Sequence, residues 1–312
     1  MLRRTLLFLS EREGLKDRLL RMRAAREVAS RFVAGESLEE ALDATRTLNE
    51  DGFPVTLDLL GESVGDHAEA ERATAAYEES VVRIAESAAT ATISLKLTQL
   101  GLDLDLETCA ANLERIVATA ARHGSFVRID MEGSSHTQAT LDVFRRARAT
   151  LPNVGVVIQS YLYRSERDVD LLLEAGAAVR LCKGAYKEPP ALAYQRKADI
   201  DANFVHLMRR LLEASDGRGS VGGVPPVAIA THDEKMVEAT RSFVESHAVA
   251  IDRFEFQMLY GVRREMQTQL REGGYHVRIY VPYGTEWYPY FMRRMAERPA
   301  NLWFVTRAIL GG

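Results

Sequence analysis

Two consecutive arginines, Arg293 and Arg294, close the most chemically suggestive stretch of this 312-residue chain. They follow Tyr280-Val281-Pro282-Tyr283-Gly284 and the aromatic run Trp287-Tyr288-Pro289-Tyr290-Phe291. Neighbouring positions on a helix diverge by about 100°, so the pair can grip one small anion from two sides. Guanidinium groups suit a carboxylate or a phosphate. Glu297 lies four residues after Arg293, a spacing that contributes only about 0.2–0.5 kcal/mol per ion pair. The plainer reading is an exposed basic helix end, which the aromatic approach argues against.

Four other stretches carry groups able to do chemistry. Arg180-Leu181-Cys182-Lys183-Gly184-Ala185-Tyr186 offers two cations and a glycine that lets backbone approach a ligand closely. Cations beside a bound ring can stabilise an anionic reduced cofactor, while Arg180 can equally pair with a neighbouring acid as a structural group. Lys96 follows an apolar run and is either a snorkelling lysine, a carboxylate binder or a Schiff-base nucleophile. Asp130 and Glu132 in Ile129-Asp130-Met131-Glu132-Gly133 point the same way if both lie on a strand. They could then hold a divalent metal with His136, pair with nearby lysines and arginines, or sit in a solvated loop. His232 in Ala230-Thr231-His232-Asp233 has no companion histidine at another strand end, so hydrogen bonding to a cofactor suits it better than zinc.

These groups need elements to position them, and the chain supplies eight. Short β-branched-rich runs begin at Val55, Thr92, Phe126, Val154, Ala178, Val227, Phe254 and Val277, each ending on a polar or glycine-containing turn, with helical patterning between them. Such alternation predicts an α/β fold of the (β/α)8 barrel type, whose active sites sit at the C-terminal strand ends. The expected rim includes Lys96, Asp130, Gln159, Lys183, His232, Gln257 and Tyr280. Residues 1–50 read as an N-terminal helical arm and 51–312 as the barrel. Leu15, Leu19, Leu20, Met22, Val28 and Phe32 recur at helical spacing in the arm, and Ser37 with Glu40 fits a capping box. The glycine-rich run 215–223 precedes the sixth strand and reads as a loop on the non-catalytic side.

Composition narrows the class. The chain is 46% hydrophobic and 27% charged with a net charge of −4, which disfavours bulk nucleic-acid binding. Cys109 and Cys182 lack metal-type spacing and suit free thiols in a reducing, cytoplasmic compartment. No apolar run approaches the roughly 20 residues of a membrane-spanning helix, and Leu6-Leu7-Phe8-Leu9 is too short for a signal-peptide core.

Taken in order, the Arg180–Tyr186 stretch, Ala230-Thr231-His232-Asp233, Phe254-Glu255-Phe256-Gln257-Met258-Leu259-Tyr260-Gly261 and Arg293-Arg294-Met295-Ala296-Glu297 resemble the motifs of the proline dehydrogenase family, in its bacterial monofunctional form. The resemblance spans nearly the whole chain. It implies a distorted, TIM-like barrel that holds FAD non-covalently and oxidises L-proline to Δ1-pyrroline-5-carboxylate, the first step of proline catabolism to glutamate. It further implies hydride transfer to flavin N5, with the electrons passing to quinone. By resemblance, Arg293, Arg294 and Lys96 bind the substrate carboxylate. Asp130 lies near the amine and orients Lys96 and Tyr280, and Tyr186, Tyr280 and Leu259 wall the pyrrolidine ring. Glu62 is implied as a gating acid that pairs with Arg293 when the site closes. The flavin contacts implied are Met131, Gln159, Arg180, Lys183, Gly184, Ala185, Thr231, His232 and Gln257.

Lys187 stands where many relatives carry a tryptophan packed on the flavin, and Tyr280 where hydroxyproline-preferring relatives carry a smaller residue. The resemblance also implies peripheral contact with the inner face of the cell membrane and hand-over of the product to a separate pyrroline-5-carboxylate dehydrogenase. Two competing readings are a metal-dependent barrel enzyme using Asp130, Glu132 and His232, and a non-enzymatic subunit displaying Arg293 and Arg294 to an acidic partner.

Overall fold

A computed structural model describes residues 29–297, with side chains up to 294. Of the arm, Leu15, Leu19, Leu20, Met22 and Val28 lie outside the described residues, as do Arg298 and the Glu297 side chain. All eight expected strands form: β1 (Val55–Leu59), β2 (Ala91–Leu95), β3 (Val127–Ile129), β4 (Val154–Gln159), β5 (Ala178–Cys182), β6 (Val227–Ala230), β7 (Phe254–Leu259) and β8 (Val277–Tyr283). They pair in parallel and in sequence order, and β8 returns to β1 to close the barrel. Asp130 was expected within its strand. β3 instead stops at Ile129, so Asp130 and Glu132 both lie beyond it.

The helices between strands are α2 (His67–Glu86), α3 (Leu106–Arg122), α4 (Thr137–Thr150), α5 (Ser165–Glu174), α6 (Lys197–Glu213), α7 (Glu234–Ser246) and α8 (Arg264–Glu272). Their apolar faces bury against the outside of the sheet. In α3, for example, Cys109, Leu113, Ile116, Val117 and Ala120 line one face at helical spacing and are all fully buried. The outward-facing strand residues, such as Val55, Leu57, Ile93, Leu95, Val127 and Ile129, meet them in one continuous core.

Two features distort the plain barrel. α1 (Leu38–Glu50) precedes β1 and packs against β1 and β8, the place a last barrel helix would fill. It opens on the expected capping box: Ser37 and Glu40 exchange side-chain and backbone hydrogen bonds. α9 (Trp287–Glu297), after β8, is thereby free to serve the barrel mouth. The segment before α1 straps it from behind. Ala34 N–H donates to Pro282 O, Gly284 N–H to Gly35 O, and the Trp287 indole to Glu36 at 3.1 Å. Gly261, at φ +71°, passes so close that a Cβ there would sit 1.6 Å from the Arg31 carbonyl oxygen.

The glycine-rich run lies before β6 on the N-terminal side of the barrel, as expected. It is anchored there: Val221 and Val224 form a bridge, and Gly223 O accepts from Arg278 at 2.8 Å.

Candidate active site

Hydrogen bonds that join non-neighbouring strands must cross the barrel lumen, and here they do so through charged groups. Asp130, just past β3, accepts from Arg180 Nη1 of β5 at 2.7 Å, from Tyr280 OH of β8 at 2.6 Å and from Ser94 Oγ of β2 at 2.6 Å. The Arg180 guanidinium also lies 5.2 Å from the centre of the Tyr280 ring. A deeper tier pairs Arg278 of β8 with Glu255 of β7 at 2.9 and 3.0 Å. Arg128 of β3, stacked on Phe126, donates to Ala178 O. Barrels of this kind usually fill their interior with branched apolar side chains. This one carries a charged stack instead.

Lys96, the residue after β2, enters the same network. The resemblance assigned its orientation to Asp130, but its direct partner is Asp58 of β1, with Nζ at 3.1 and 3.3 Å from the two carboxylate oxygens. Burial on its own would depress the Lys96 ammonium. The charges of Asp58 and Asp130 outweigh burial and hold it above the ordinary lysine range. Lys96 is therefore a cation at neutral pH, which fits carboxylate binding and removes the Schiff-base reading. Burial, reinforced by Asp130, pushes the Tyr280 phenol far above its usual range, so it stays a hydrogen-bond donor.

At the mouth, Arg293 pairs with Glu62 at 2.7 Å across half-exposed side chains. Arg294 sits with its guanidinium 5.2 Å from the Tyr290 ring. α9 thus carries Arg293 to the loop after β1, at the rim where barrel active sites lie. Tyr186, in the loop after β5, is 42% exposed. Its phenol is pushed up by burial, then by Glu132 and Glu62. Leu259 and Tyr280 are register partners on β7 and β8, so their side chains stand side by side.

The residues implied as flavin contacts divide into two groups. Gln159 donates its amide to Met131 O at 3.0 Å, and Gln257 donates to Glu255, which leaves both amide oxygens buried without a partner. Arg180 Nε and Nη2 are likewise buried and unpartnered. Buried polar groups are normally satisfied, so acceptors on β4 and β7 facing donors on β5 fit a planar polar ligand with both donors and acceptors. His232 Nε2 accepts the Leu259 amide at 2.9 Å. That fixes the imidazole proton on Nδ1, a donor nitrogen, as a hydrogen-bonding role requires. Thr231, nearly buried, accepts from Asp233 N–H through its hydroxyl.

The other group is engaged differently. The Lys183 ammonium is clamped between Asp201 and Asp233, which Lys197 also bridges. Gly184 was expected to let backbone approach a ligand. It adopts φ +109°, and a Cβ there would come within 2.5 Å of the Tyr161 ring, so the close neighbour is protein. Ala185 follows it in the exposed part of the same loop.

The metal reading loses its geometry. Asp130 faces Arg180, Tyr280 and Ser94. Glu132 turns away to Thr98, accepting from its amide at 3.2 Å and its hydroxyl at 2.8 Å. Glu132 thereby pins the short 3-10 turn Leu97–Leu100 that follows Lys96. His136 bonds Asp103 at 2.7 Å. Among the described residues no three His, Cys, Asp or Glu side chains converge as metal ligands.

Sequence reasoning missed Asp58, Ser94 and Glu255. A signal was present: all three are polar residues at inward positions of short, mostly apolar strands, where burial demands a partner. Cys109 and Cys182 are free, as expected, and burial pushes both thiols up to about 12. Iodoacetamide at pH 8 is therefore expected to leave both unmodified in the folded protein and to alkylate both in urea, read by mass spectrometry. Rapid native labelling of either would show an open, ionised thiol.

Known proteins share this fold and sequence. The family model described as proline dehydrogenase matches residues 41–307. Proline dehydrogenase 2 of Bacillus subtilis is 39% identical over 303 residues, covering 97% of each chain. Proline dehydrogenase of Deinococcus radiodurans is 40% identical over 294 residues, 91% of each. Among solved structures, proline utilization A from Bdellovibrio bacteriovorus, inactivated by N-propargylglycine, superposes with a TM-score of 0.80 at 28% identity. That match covers 88% of this chain but only 33% of the larger protein. Barrel, rim and sequence lead to one assignment: the chain belongs to the proline dehydrogenase family.

Proposed function

We propose that this protein oxidises L-proline to Δ1-pyrroline-5-carboxylate with non-covalently held FAD. The observation that carries the reading is the set of buried, unpartnered polar atoms on Gln159, Arg180 and Gln257, set beside the Lys96, Arg293 and Arg294 cations. The first set suits a flavin ring and the second a small carboxylate. A flavin bound there supplies two-electron acceptance, the chemistry that removal of a hydride from the ring carbon beside nitrogen requires. Loss of that hydride and of one N–H proton converts the C–N single bond of proline to the C=N bond of the product.

The chain's own residues do the rest. Arg293, Arg294 and Lys96 hold the carboxylate, and Tyr186, Leu259 and Tyr280 enclose the ring. Asp130 orients Tyr280 and lies near the amine. Glu62 pairs with Arg293 when the mouth closes, so the arginine that holds the carboxylate also holds the gate, and proline binding and closure are coupled. Substrate entering with a neutral amine needs no strong base, and positioning over the acceptor provides most of the rate enhancement. Thr231, His232, Met131, Lys183, Gly184 and Ala185 complete the cofactor shell. Lys183 orders the loop that bears Gly184 through its two aspartates.

Electrons then pass to quinone from a protein docked on the inner face of the cell membrane, and a separate dehydrogenase takes the product. Among the described residues no helix is long and apolar enough to cross a membrane.

The purified protein should be yellow, and L-proline should bleach its flavin absorbance under anaerobic conditions. Hydroxyproline should bleach it at far higher concentration, because the Tyr280 ring crowds a ring hydroxyl. Colourless protein that FAD cannot reconstitute would overturn the reading. A quinone analogue should restore the colour of the bleached enzyme.

A further inference from the structure

We infer that Asp58 is the positioning residue for the substrate-carboxylate site, acting through Lys96 rather than on substrate. This rests on the proline-oxidising reading above. Asp58 is 1% exposed, and both its carboxylate oxygens face the Lys96 ammonium, itself 12% exposed. No resemblance in sequence singled it out. It lies on β1, directly before the loop that carries Glu62, and Lys96 lies on the adjacent strand's end. A lysine side chain has four rotatable bonds. At a strand end it would otherwise reach for solvent or collapse onto Asp130. The two-oxygen contact fixes the ammonium at one point of the rim and leaves Asp130 to Arg180, Tyr280 and Ser94.

Two acids therefore divide the work: one orders the carboxylate side of the site, the other the ring and amine side. The remaining charges near Lys96 are Asp130, Glu132 and Tyr186, and Tyr280 stands beside Asp58. Glu132 is turned to Thr98 and Tyr186 stays protonated, so Asp58 is the acid in direct contact.

Asp58→Asn keeps the shape and removes the charge. The expected result is a KM for proline raised about tenfold or more, the effect of weakening one charge-assisted contact, with flavin content unchanged. Burial would then be opposed mainly by Asp130, so Lys96 would lose its proton more easily. The ratio of variant to wild-type KM should grow between pH 7 and pH 10, where the ionisation of proline itself cancels. On a Lys96→Met background, Asp58→Asn should raise KM no further, whereas with Lys96 present Asp58→Glu should keep the wild-type pH behaviour. An equal KM increase on the Lys96→Met background, or a pH-independent ratio, would mean that Asp58 is merely structural and would overturn the inference. The double variant, which strands no charge, serves if the single one does not fold.

A readout independent of proline separates the two readings. The lysines of this chain are Lys16, Lys96, Lys183, Lys187, Lys197 and Lys235, so side-chain carbon NMR can assign Lys96 by its absence in Lys96→Met. Its titration should begin at lower pH in Asp58→Asn than in wild type, whether or not proline is the substrate. An unchanged titration sinks the inference even if proline is oxidised.

Discussion

Arg278→Met is expected to lower the unfolding free energy by about 3–5 kcal/mol, the usual consequence of stranding one member of a buried ion pair. Arg278 and Glu255 are 4% and 2% exposed and bond at 2.9 Å. The guanidinium also donates to Val55 O at 3.1 Å and Gly223 O at 2.8 Å. One side chain thus ties β8 to β7, to β1 across the closing seam, and to the loop under the barrel floor. Methionine fills the space but leaves Glu255 charged with Gln257 as its remaining hydrogen-bond donor and only the more distant Arg128 as a cation, and leaves two carbonyls without their donor. Replacing Glu255 by leucine in the same chain should recover part of the loss, because an apolar pair no longer buries an uncompensated charge. The two carbonyls keep the remainder. Urea melts followed by circular dichroism would measure both. A loss below about 1 kcal/mol for the single variant would mean that water reaches the tier and that the pair is not sealed.

For Arg294→Met, the expected result is a KM for proline raised roughly ten- to 150-fold, corresponding to a charge-assisted hydrogen bond of about 1.5–3 kcal/mol. Flavin content and melting temperature should hardly move, since Arg294 lies on α9, after the last strand, rather than on a barrel strand. The comparison with Arg293→Met is informative. Arg293 also has a carboxylate partner in Glu62, so its removal deletes a binding group and the gate together. Arg293→Met should therefore raise KM at least as far as Arg294→Met. Loss of flavin in step with activity would make Arg294 a structural group and remove it from the substrate site.

The barrel was legible because each strand is a short branched run ended by a turn, and because parallel strands buried under helices keep their outward faces apolar. The capping box of α1 was legible for a similar reason: Ser37 and Glu40 interact only with each other and the local backbone. The site was half legible. Lys96, Asp130, Arg180 and Tyr280 could be named as rim residues, yet their pairing could not, because which acid meets which cation depends on how eight strands stagger around the closure. Asp58 shows the difficulty. Within Val55-Thr56-Leu57-Asp58-Leu59 it reads as one polar residue in an apolar strand, and only β2 alongside reveals its lysine. Asp130 and Glu132 show the converse. A two-residue spacing promised a shared direction, but β3 ends one residue too early, and the chain turns them to opposite partners.

The position of α1 beside β8 has a consequence for the order of events at the ribosome. α1 ends at Glu50 and its neighbour β8 begins at Val277, so the helix is made long before the strand it packs against. At about 5–20 residues per second, the interval between them is on the order of ten seconds to a minute. Through that interval α1, whose Ala41 and Leu42 are buried at the end, lacks its contact with β8. Nascent chains of this protein should therefore dwell with an apolar helix exposed until the last strand arrives. Completing the active-site rim and hiding that surface become one late, shared event.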